Sequence, residues 1–508
     1  MSEAVYAGAV VEERQLLKAL RWYDGFVIAL ANPGFLLGSL GYSIGALGGW
    51  AAMFLWTVSM AIGVLSNFIY SETAAMFPDK PGGIALYAHE GWRRYFTPIG
   101  PIATFGYWFA WSSVLALFGI VIGGLIQAEW FPGEPAGGTG AEATGYFSSG
   151  PVEIGLPHLI AAGAIILVWI VNIFGIRPAV WLGYITGAML MIPLAVFIFL
   201  PYLTGSWDSD NLTWALNDEG QPWGGWKTAL VWLFVMGWSA YGVETCATFA
   251  PEYKDTARDT SLALRTSALF SLFVYAFLPL GISGVLTQQE IADNPVAFYV
   301  PAFQEILGGG SQLMVILLIA SLLLSMNTAT ADGSRALYGI ARDDMTIKQL
   351  FHLNRFHVPG RAMTVDMIVN LGLVFFVGNT LAILYTGNVG YILAHFFALT
   401  AFVLLRRDRP NWPRPIRVSS IFVPIAIILA IANAVFIYVG VTDPGLTYAA
   451  ETKHVLIGLA VLGISVLLWL YRKLGQDHQR PALREDAPAT PDARAAALLE
   501  QEMRSVER

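Results

Sequence analysis

Residues 233–259 read LFVMGWSAYGVETCATFAPEYKDTARD, and the reading of this stretch decides the class of fold. A long apolar run carries Gly237, Trp238, Ser239, Ala240, Tyr241, Gly242, Val243 and Glu244, then stops at Pro251-Glu252-Tyr253-Lys254-Asp255. A helix on a soluble surface is apolar along one stripe, so a run apolar on all faces for this length predicts a membrane span. A carboxylate in the middle of such a span is expensive, which makes Glu244 a functional-site candidate by default. Gly237 and Gly242 bracket Trp238 to Tyr241 and predict a break in the helix. A break frees backbone groups that can hold a polar ligand.

The composition agrees. The chain has 508 residues, 56% of them hydrophobic and only 13% charged, about half the charge of an ordinary soluble domain. Its 17 Trp and 20 Tyr suit aromatic belts at two interfaces, and its 51 Gly suit close helix packing. The single Cys246 excludes an intrachain disulfide and a cysteine-rich metal site. No basic stripe on a soluble face marks a nucleic-acid footprint. His89-Glu90 lacks the two-histidine zinc spacing, and no Gly-x-x-x-x-Gly-Lys phosphate loop occurs, so metal and nucleotide chemistry find no support. No cofactor is expected. With no soluble catalytic domain in any loop, an enzyme is not expected either.

Apolar runs of about 20 residues predict about twelve transmembrane helices in an all-α integral membrane fold. They fall near 24–43, 48–71, 101–127, 156–175, 179–203, 228–250, 265–286, 312–339, 364–383, 386–405, 418–441 and 453–472. Residues 1–23 form a polar N-terminal segment unlike a cleavable signal, and 473–508 form a tail with room for a small terminal helix from 487. Placing the N-terminus in the cytoplasm puts Arg14, Lys18, Arg21, Lys80, Arg93, Arg94, Arg177, Lys254, Arg258, Arg342, Lys348, Arg355, Arg361 and the cluster Arg406 to Arg417 on the inner side. The outer segments then keep only Lys227 and Lys453 of the 29 basic residues, and the outer stretch 129–153 has none. This asymmetry predicts a multi-pass protein of the cytoplasmic membrane with both termini inside.

The first span repeats the theme of the sixth. Ala31-Asn32-Pro33-Gly34-Phe35 places a residue without a backbone donor beside a glycine, so this helix is also expected to break midway. Interruptions at positions one and six are corresponding positions of two five-helix halves, and such pairs point to a transporter's binding site.

Several motifs in order resemble one family, the amino acid–polyamine–organocation transporters. Trp238 to Thr245 resembles its sixth-helix signature. Tyr70-Ser71-Glu72, Met76-Phe77-Pro78, Pro81-Gly82-Gly83 and Tyr87 resemble its second-helix exit and inner loop. Asn327, Ser334-Arg335-Ala336-Leu337-Tyr338, Ala341-Arg342-Asp343-Asp344 and Val358-Pro359 resemble its eighth-helix exit and the following loop. The set covers about 24–410. It implies a leucine-transporter-type fold with a 5+5 inverted repeat and broken helices 1 and 6. The ten-helix core would be 24–405, in halves of about 24–203 and 228–405, with accessory helices in 418–472. It also implies alternating access and an amino acid or amine substrate. Two departures stand out. The family's first break usually reads Gly-Ser-Gly, where this chain has Asn32-Pro33-Gly34, with Gly38-Ser39-Leu40-Gly41 as a rival alignment. Some proton-coupled members carry a fifth-helix lysine, and Thr186 to Pro193 contains no basic residue.

The candidate substrate-binding residues are therefore Asn32, Pro33, Gly34, Phe35, Tyr107, Trp238, Ser239, Ala240, Tyr241, Gly242, Asn327 and Thr330. The first break would offer amides to a carboxylate, against the plainer reading of a proline kink. Trp238 and Tyr241 would close over an ammonium group, against simple packing or lipid contact. Tyr107 resembles a third-helix aromatic lining the outer vestibule, against an interface aromatic. Asn327, Thr328 and Thr330 could meet substrate or Na⁺, against hydroxyls that bond the preceding turn. Glu244 and His395 are the gating or proton-coupling candidates, against a structural carboxyl and a neutral packing histidine. Glu72, Asp332 and Arg335 read as helix-end charges, with inner-gate ion pairs as the alternative, and Glu90, Asp343 and Asp344 as ordinary loop charges. The reading is a secondary transporter of amino acids or related amines, coupled to H⁺ or Na⁺ or working by exchange, with the lipid bilayer as its surroundings. The alternative is a non-transporting sensor or channel on the same fold.

Overall fold

The computed structural model describes residues 18–78, 80–139, 143–216, 225–447, 450–488 and 490. The expected terminal helix from 487, and basic residues before 18 such as Arg14, lie outside them. Eleven helices in this range are long and apolar enough to cross a membrane: Trp22–Leu47, Gly49–Met76, Ile99–Trp130, Leu156–Ile173, Ile176–Thr204, Gly225–Glu252, Thr256–Ser283, Tyr299–Arg342, Thr380–Asp408, Phe422–Thr442 and Thr452–Gln476. The remaining expected span is the 17-residue helix Gly360–Phe376. Counting it, the spans are numbered one to twelve in chain order below.

The boundary between the ninth and tenth spans lies at 377–379 and not near 383–386. Gly378 takes a left-handed φ of +65° that other residues adopt at a cost, and Asn379 caps the tenth span by accepting the Ala382 amide at 3.0 Å. Hydropathy alone is blind to both signals. The stretch between the third and fourth spans forms the one sheet among the described residues. It is a three-stranded antiparallel unit of Gly138–Thr139, Val152–Ile154 and Phe147–Ser149 with the second of these in the middle.

Both spans are interrupted, the sixth where expected. In the first, Asn32-Pro33-Gly34 lie inside a helical segment and the breaks fall at Leu30 and at Gly38 and Ser39, the second of these at the rival alignment, because proline and glycine are accommodated within that short helix. The first span runs as Trp22–Ala29, Ala31–Leu37 and Leu40–Leu47. The sixth is α-helical over Gly225–Ala240, turns at Tyr241 and continues as a 3-10 helix over Gly242–Glu252. Around these two the second and seventh spans run along each other, as do the third and tenth. The third and tenth meet at a backbone-to-backbone crossing, where a Cβ on Gly106 would stand 2.4 Å from the Gly390 carbonyl oxygen. Small residues at such crossings let membrane helices approach closely.

The ends of the spans that carry the basic residues are tied together by buried ion pairs. Glu72, fully buried, accepts Arg406 at 2.5 Å and the Val418 amide at 2.9 Å. Glu90, 2% exposed, is held by Lys80 and Arg409, each at 2.8 Å, and Lys80 also bonds Asp343 at 2.9 Å. Arg335 pairs with Glu252 out of solvent. Glu72, Arg335 and Glu90 are therefore not solvated end or loop charges. The hydropathy trace places them at span ends, and only the folded contacts show that neighbouring loops close over them. His89, Glu90 and Asp343 have ligand atoms within 4.8 Å of one another, but the Lys80 ammonium already bridges the two carboxylates. The described ends of the chain dock on the same face: Lys254 donates to the Leu20 carbonyl at 2.8 Å, and Arg93 pairs with Glu485 at 2.7 Å.

Burial alone would push the Glu90 carboxyl up, but the charges of Lys80, His89, Arg409 and Arg93 outweigh it and bring the group from 4.5 down to about 2. A carboxyl held below its ordinary value stabilises the fold in full above that value and loses the contribution as pH falls through the depressed one. Glu90→Gln should lower stability by about 3 kcal/mol, the low end for a buried pair because Lys80 keeps part of its solvent. In thermal unfolding of the detergent-solubilised protein, the gap between wild type and variant should hold from pH 8 to about 5, shrink as pH falls below about 4.5 and close only near pH 2.

Candidate functional site

The two helix breaks face each other. A Cβ on Gly242 would lie 2.8 Å from Asn32 Oδ1 and 3.2 Å from the Phe35 ring, so the sixth-span break rests directly on the middle segment of the first span. Gly34 sits as close to the eighth span, with its Cβ position 2.4 Å from Ser325 Oγ. Pro33 has no amide hydrogen to give the preceding turn. Here it is carbonyls, rather than amides, that take side-chain partners at the first break. Ser325 Oγ donates to Ala31 O at 3.1 Å, Thr328 Oγ1 to Ile28 O at 3.4 Å, and the Tyr275 hydroxyl to Asn32 O at 2.9 Å. Tyr275 also shares a hydrogen bond of 2.6 Å with Ser239, which joins the first, sixth and seventh spans.

Beside this junction stands an aromatic box. The Phe35 ring has centroids of Trp111, Trp238 and Phe118 at 5.0, 5.5 and 5.6 Å. Trp238 is held by a bond from its indole nitrogen to Ala110 O at 3.3 Å. Phe35, Ala110, Trp111, Val114, Trp238 and Tyr391 line about 150 Å3 of space, no part of which holds a water-sized sphere. The box is closed, so anything entering it must part Phe35, Trp111 and Trp238.

Glu244 lies against the same box, fully buried. Its Oε1 accepts the Tyr391 hydroxyl at 2.6 Å and the Trp111 indole at 3.3 Å, and His395 Nε2 is 3.8 Å away. Its Oε2 has no hydrogen-bond partner among the described residues. His395 Nδ1 bonds the Tyr70 hydroxyl at 2.9 Å, and its ring meets Tyr241 edge-on at 5.0 Å. No Lys or Arg pairs with Glu244 among the described residues, unlike Glu72, Glu90 and Glu252 at the basic face.

The structure thus brings Asn32, Phe35, Trp238, Ser239, Gly242, Glu244 and His395 to one region, and Pro33, Gly34 and Ala240 to its backbone. Tyr241 turns away from the box to His395 and to Asn433 Oδ1, its hydroxyl donating to the latter at 3.2 Å. Tyr107 is buried and bonds Asp332 at 2.9 Å and Thr248 at 3.1 Å, so Trp111, one turn on, is the third-span aromatic that faces the box. Asn327 is not brought to the box: it bonds Asn172 of the fourth span and Ala179 O of the fifth, each at 2.9 Å. Thr330 bonds Met326 O of its own preceding turn at 3.1 Å. Side-chain direction around a helix decides all three, and spacing along one span does not reveal it.

Sequence reasoning passed over Trp111, Phe118, Tyr275, Tyr391 and Asp366. The aromatics carry no signal that separates them from the chain's many others. Asp366 does carry one, since it is a carboxylate inside an expected span, the same signal that singled out Glu244.

Comparisons with known proteins agree with this architecture. The amino acid permease family model matches residues 22–467. The glutamate/serine transporter AimA of Bacillus subtilis is 22% identical over 435 residues, spanning 80% of this chain and 75% of the relative. The D-serine/D-alanine/glycine transporter of Escherichia coli is 20% identical over 445 residues, spanning 85% of this chain and 78% of the relative. The human large neutral amino acids transporter small subunit 2 is 24% identical over 388 residues, with 73% and 66% covered.

The contact between the breaks is open to a direct check. Gly242→Ala should cost about 1–3 kcal/mol of stability by forcing Asn32 and Phe35 aside. Gly163→Ala, on the fourth span with nothing within 4 Å of its Cβ position, should be neutral or stabilising by up to about 1 kcal/mol. Thermal unfolding of the two variants beside the wild type reads the difference. With a match along nearly its whole length, a multi-pass helical fold and interruptions in its first and sixth spans, the chain belongs to the amino acid permease family of the amino acid–polyamine–organocation superfamily, whose members are transporters and not enzymes.

Proposed function

We propose that the protein is a secondary transporter that carries small amino acids or related amines across the cytoplasmic membrane by alternating access and couples the movement to protons. The observation that carries this reading is the meeting of two interrupted helices beside a closed aromatic box, with the buried Glu244 at its wall. The ligand's carboxylate and amine would face the backbone of the first and sixth breaks, and Phe35, Trp111 and Trp238 would part to admit it. Aromatic faces also suit an ammonium group. The names of the relatives, a glutamate/serine transporter, a D-serine/D-alanine/glycine transporter and a large neutral amino acids transporter among them, support an amino acid substrate.

Protons are the favoured coupling ion because Glu244 is buried beside neutral partners, with Oε2 left to take one up. An ionised carboxylate there bears a desolvation cost that protonation removes. His395, bonded to Tyr70 and next to Glu244, would stand at the same gate. The pairing of the second with the seventh span supports an inverted repeat in which each half contributes one broken helix. The ion pairs at the basic face would close the cytoplasmic side, with both termini there.

A thermal-shift screen against amino acids and amines, followed by uptake into proteoliposomes with and without Na⁺ and a pH gradient, tests the proposal. A ligand of the native state raises the melting point. Stabilisation by one chemical group and accumulation driven by inward protons are expected. Binding without accumulation would make the protein a sensor, and absence of any shift would remove the substrate class. Glu244→Gln should flatten the pH dependence of uptake, while a profile that keeps its shape would remove the proton role from this residue.

A further inference from the structure

Three buried carboxylates lie within the spans without a Lys or Arg partner among the described residues: Glu244 on the sixth, with His395 3.8 Å away, Asp332 on the eighth and Asp366 on the ninth, each 0% exposed. One face of the third span reaches all three. Trp111 donates its indole N–H to Glu244 at 3.3 Å, Tyr107 its hydroxyl to Asp332 at 2.9 Å, and Trp108 its indole N–H to Asp366. The Tyr107 ring also packs 6.1 Å from both Trp111 and Tyr391, the two residues that donate to Glu244. Asp366 abuts the residue after Asp332, its Oδ2 3.7 Å from the Cβ position of Gly333. Asp366 Oδ2, like Glu244 Oε2, is buried without a hydrogen-bond partner among the described residues.

We propose that Asp332, with Asp366 next along the same helix contact, is a second proton-holding station of the transport cycle, set on the face of the third span that also serves Glu244. The inference rests on the proton-coupled reading above and extends it to residues that neither the helix breaks nor the aromatic box single out. The groups facing Asp332 are Tyr107 of the third span, Thr248 and Glu244 of the sixth, Asp366 of the ninth and Arg335 of its own helix. Arg335 is committed to Glu252, so it does not neutralise Asp332 as a dedicated partner. Asp366 packs against Gly333, the residue after Asp332, and two carboxylates buried this near within the spans are costly to ionise together. A proton held on either relieves that cost. The transfer itself balances simply: one carboxyl loses H⁺, another carboxylate gains it, and no bond between heavy atoms changes. The Tyr107 hydroxyl, between Asp332 and Thr248, can both accept and donate, so it can follow a change of protonation at Asp332.

The test is the pH profile of proton-driven uptake by the full-length protein in proteoliposomes, measured for wild type, Glu244→Gln, Asp332→Asn and Asp332→Glu. Asp332→Asn keeps the shape and the acceptor for Tyr107 but cannot hold a proton at the same position. A proton station predicts that Asp332→Asn flattens the pH profile and loses at least tenfold of the stimulation by an inward proton gradient, while Asp332→Glu restores part of both. A purely structural carboxyl predicts a rate scaled down by one factor at every pH, and that result, or an unchanged profile, overturns the proposal. If Asp332→Asn fails to assemble, as judged by size-exclusion chromatography, Tyr107→Phe reads the same way, since it removes the hydroxyl that donates to Asp332 and leaves every carboxyl in place. A flat wild-type profile would instead overturn proton coupling itself, and a profile lost only in Glu244→Gln would leave coupling standing and remove the second station.

Discussion

A lipid interior supplies no water to a backbone group that leaves its helix, so every interruption of a span must be answered by another part of the protein. That constraint organises this molecule. The first span is interrupted at Leu30 and at Gly38 and Ser39, and carbonyls around the first of these breaks are taken up by Ser325, Thr328 and Tyr275 from the eighth and seventh spans. The sixth is interrupted at Tyr241, and Gly242 lets it settle on Asn32 and Phe35. Four spans are therefore committed to one small region. The interruptions are local weaknesses that the rest of the bundle holds in place, and this makes them the natural elements to move when a ligand enters.

Charge follows the same logic with two different outcomes. At the basic face, carboxylates are buried together with cations: Glu72 with Arg406, Glu90 with Lys80 and Arg409, Glu252 with Arg335. Removing either member of such a pair leaves an uncompensated buried charge, so the pairs lock the loops they join. Deeper in the bundle Glu244, Asp332 and Asp366 meet aromatic donors instead. Aromatic N–H and O–H groups satisfy hydrogen bonds without fixing a charge state. The first arrangement suits closure, and the second suits groups that change their protonation.

Much of this was open to reading from the amino-acid order. Hydropathy over about 20 residues marks spans because a bilayer has a definite thickness, and the Lys and Arg bias marks the sides because translocating charge is costly. Proline and glycine mark breaks because their effects on the backbone are local. For the same reason Asn32-Pro33-Gly34 and Gly237 to Gly242 could be singled out before any tertiary contact was known. The ninth span's end at Gly378 was missed because a left-handed glycine and an asparagine cap do not alter hydropathy.

Sequence by itself determined the membrane class, nearly all of the spans, the gathering of basic residues at one side, that the first and sixth spans are interrupted and that Glu244 lies within the sixth, all of which depend on residues near one another in the chain. Only the tertiary structure decided which side chains meet. Trp111 and not Tyr107 faces the aromatic box, Asn327 serves the fourth and fifth spans, and Asp332 and Asp366 are both met by the third span, through Tyr107 and Trp108. Those outcomes depend on the rotation of each helix about its axis, where about 100° separates neighbouring residues. Rotation is set by packing against partners hundreds of residues away, and no local pattern in this chain encodes it.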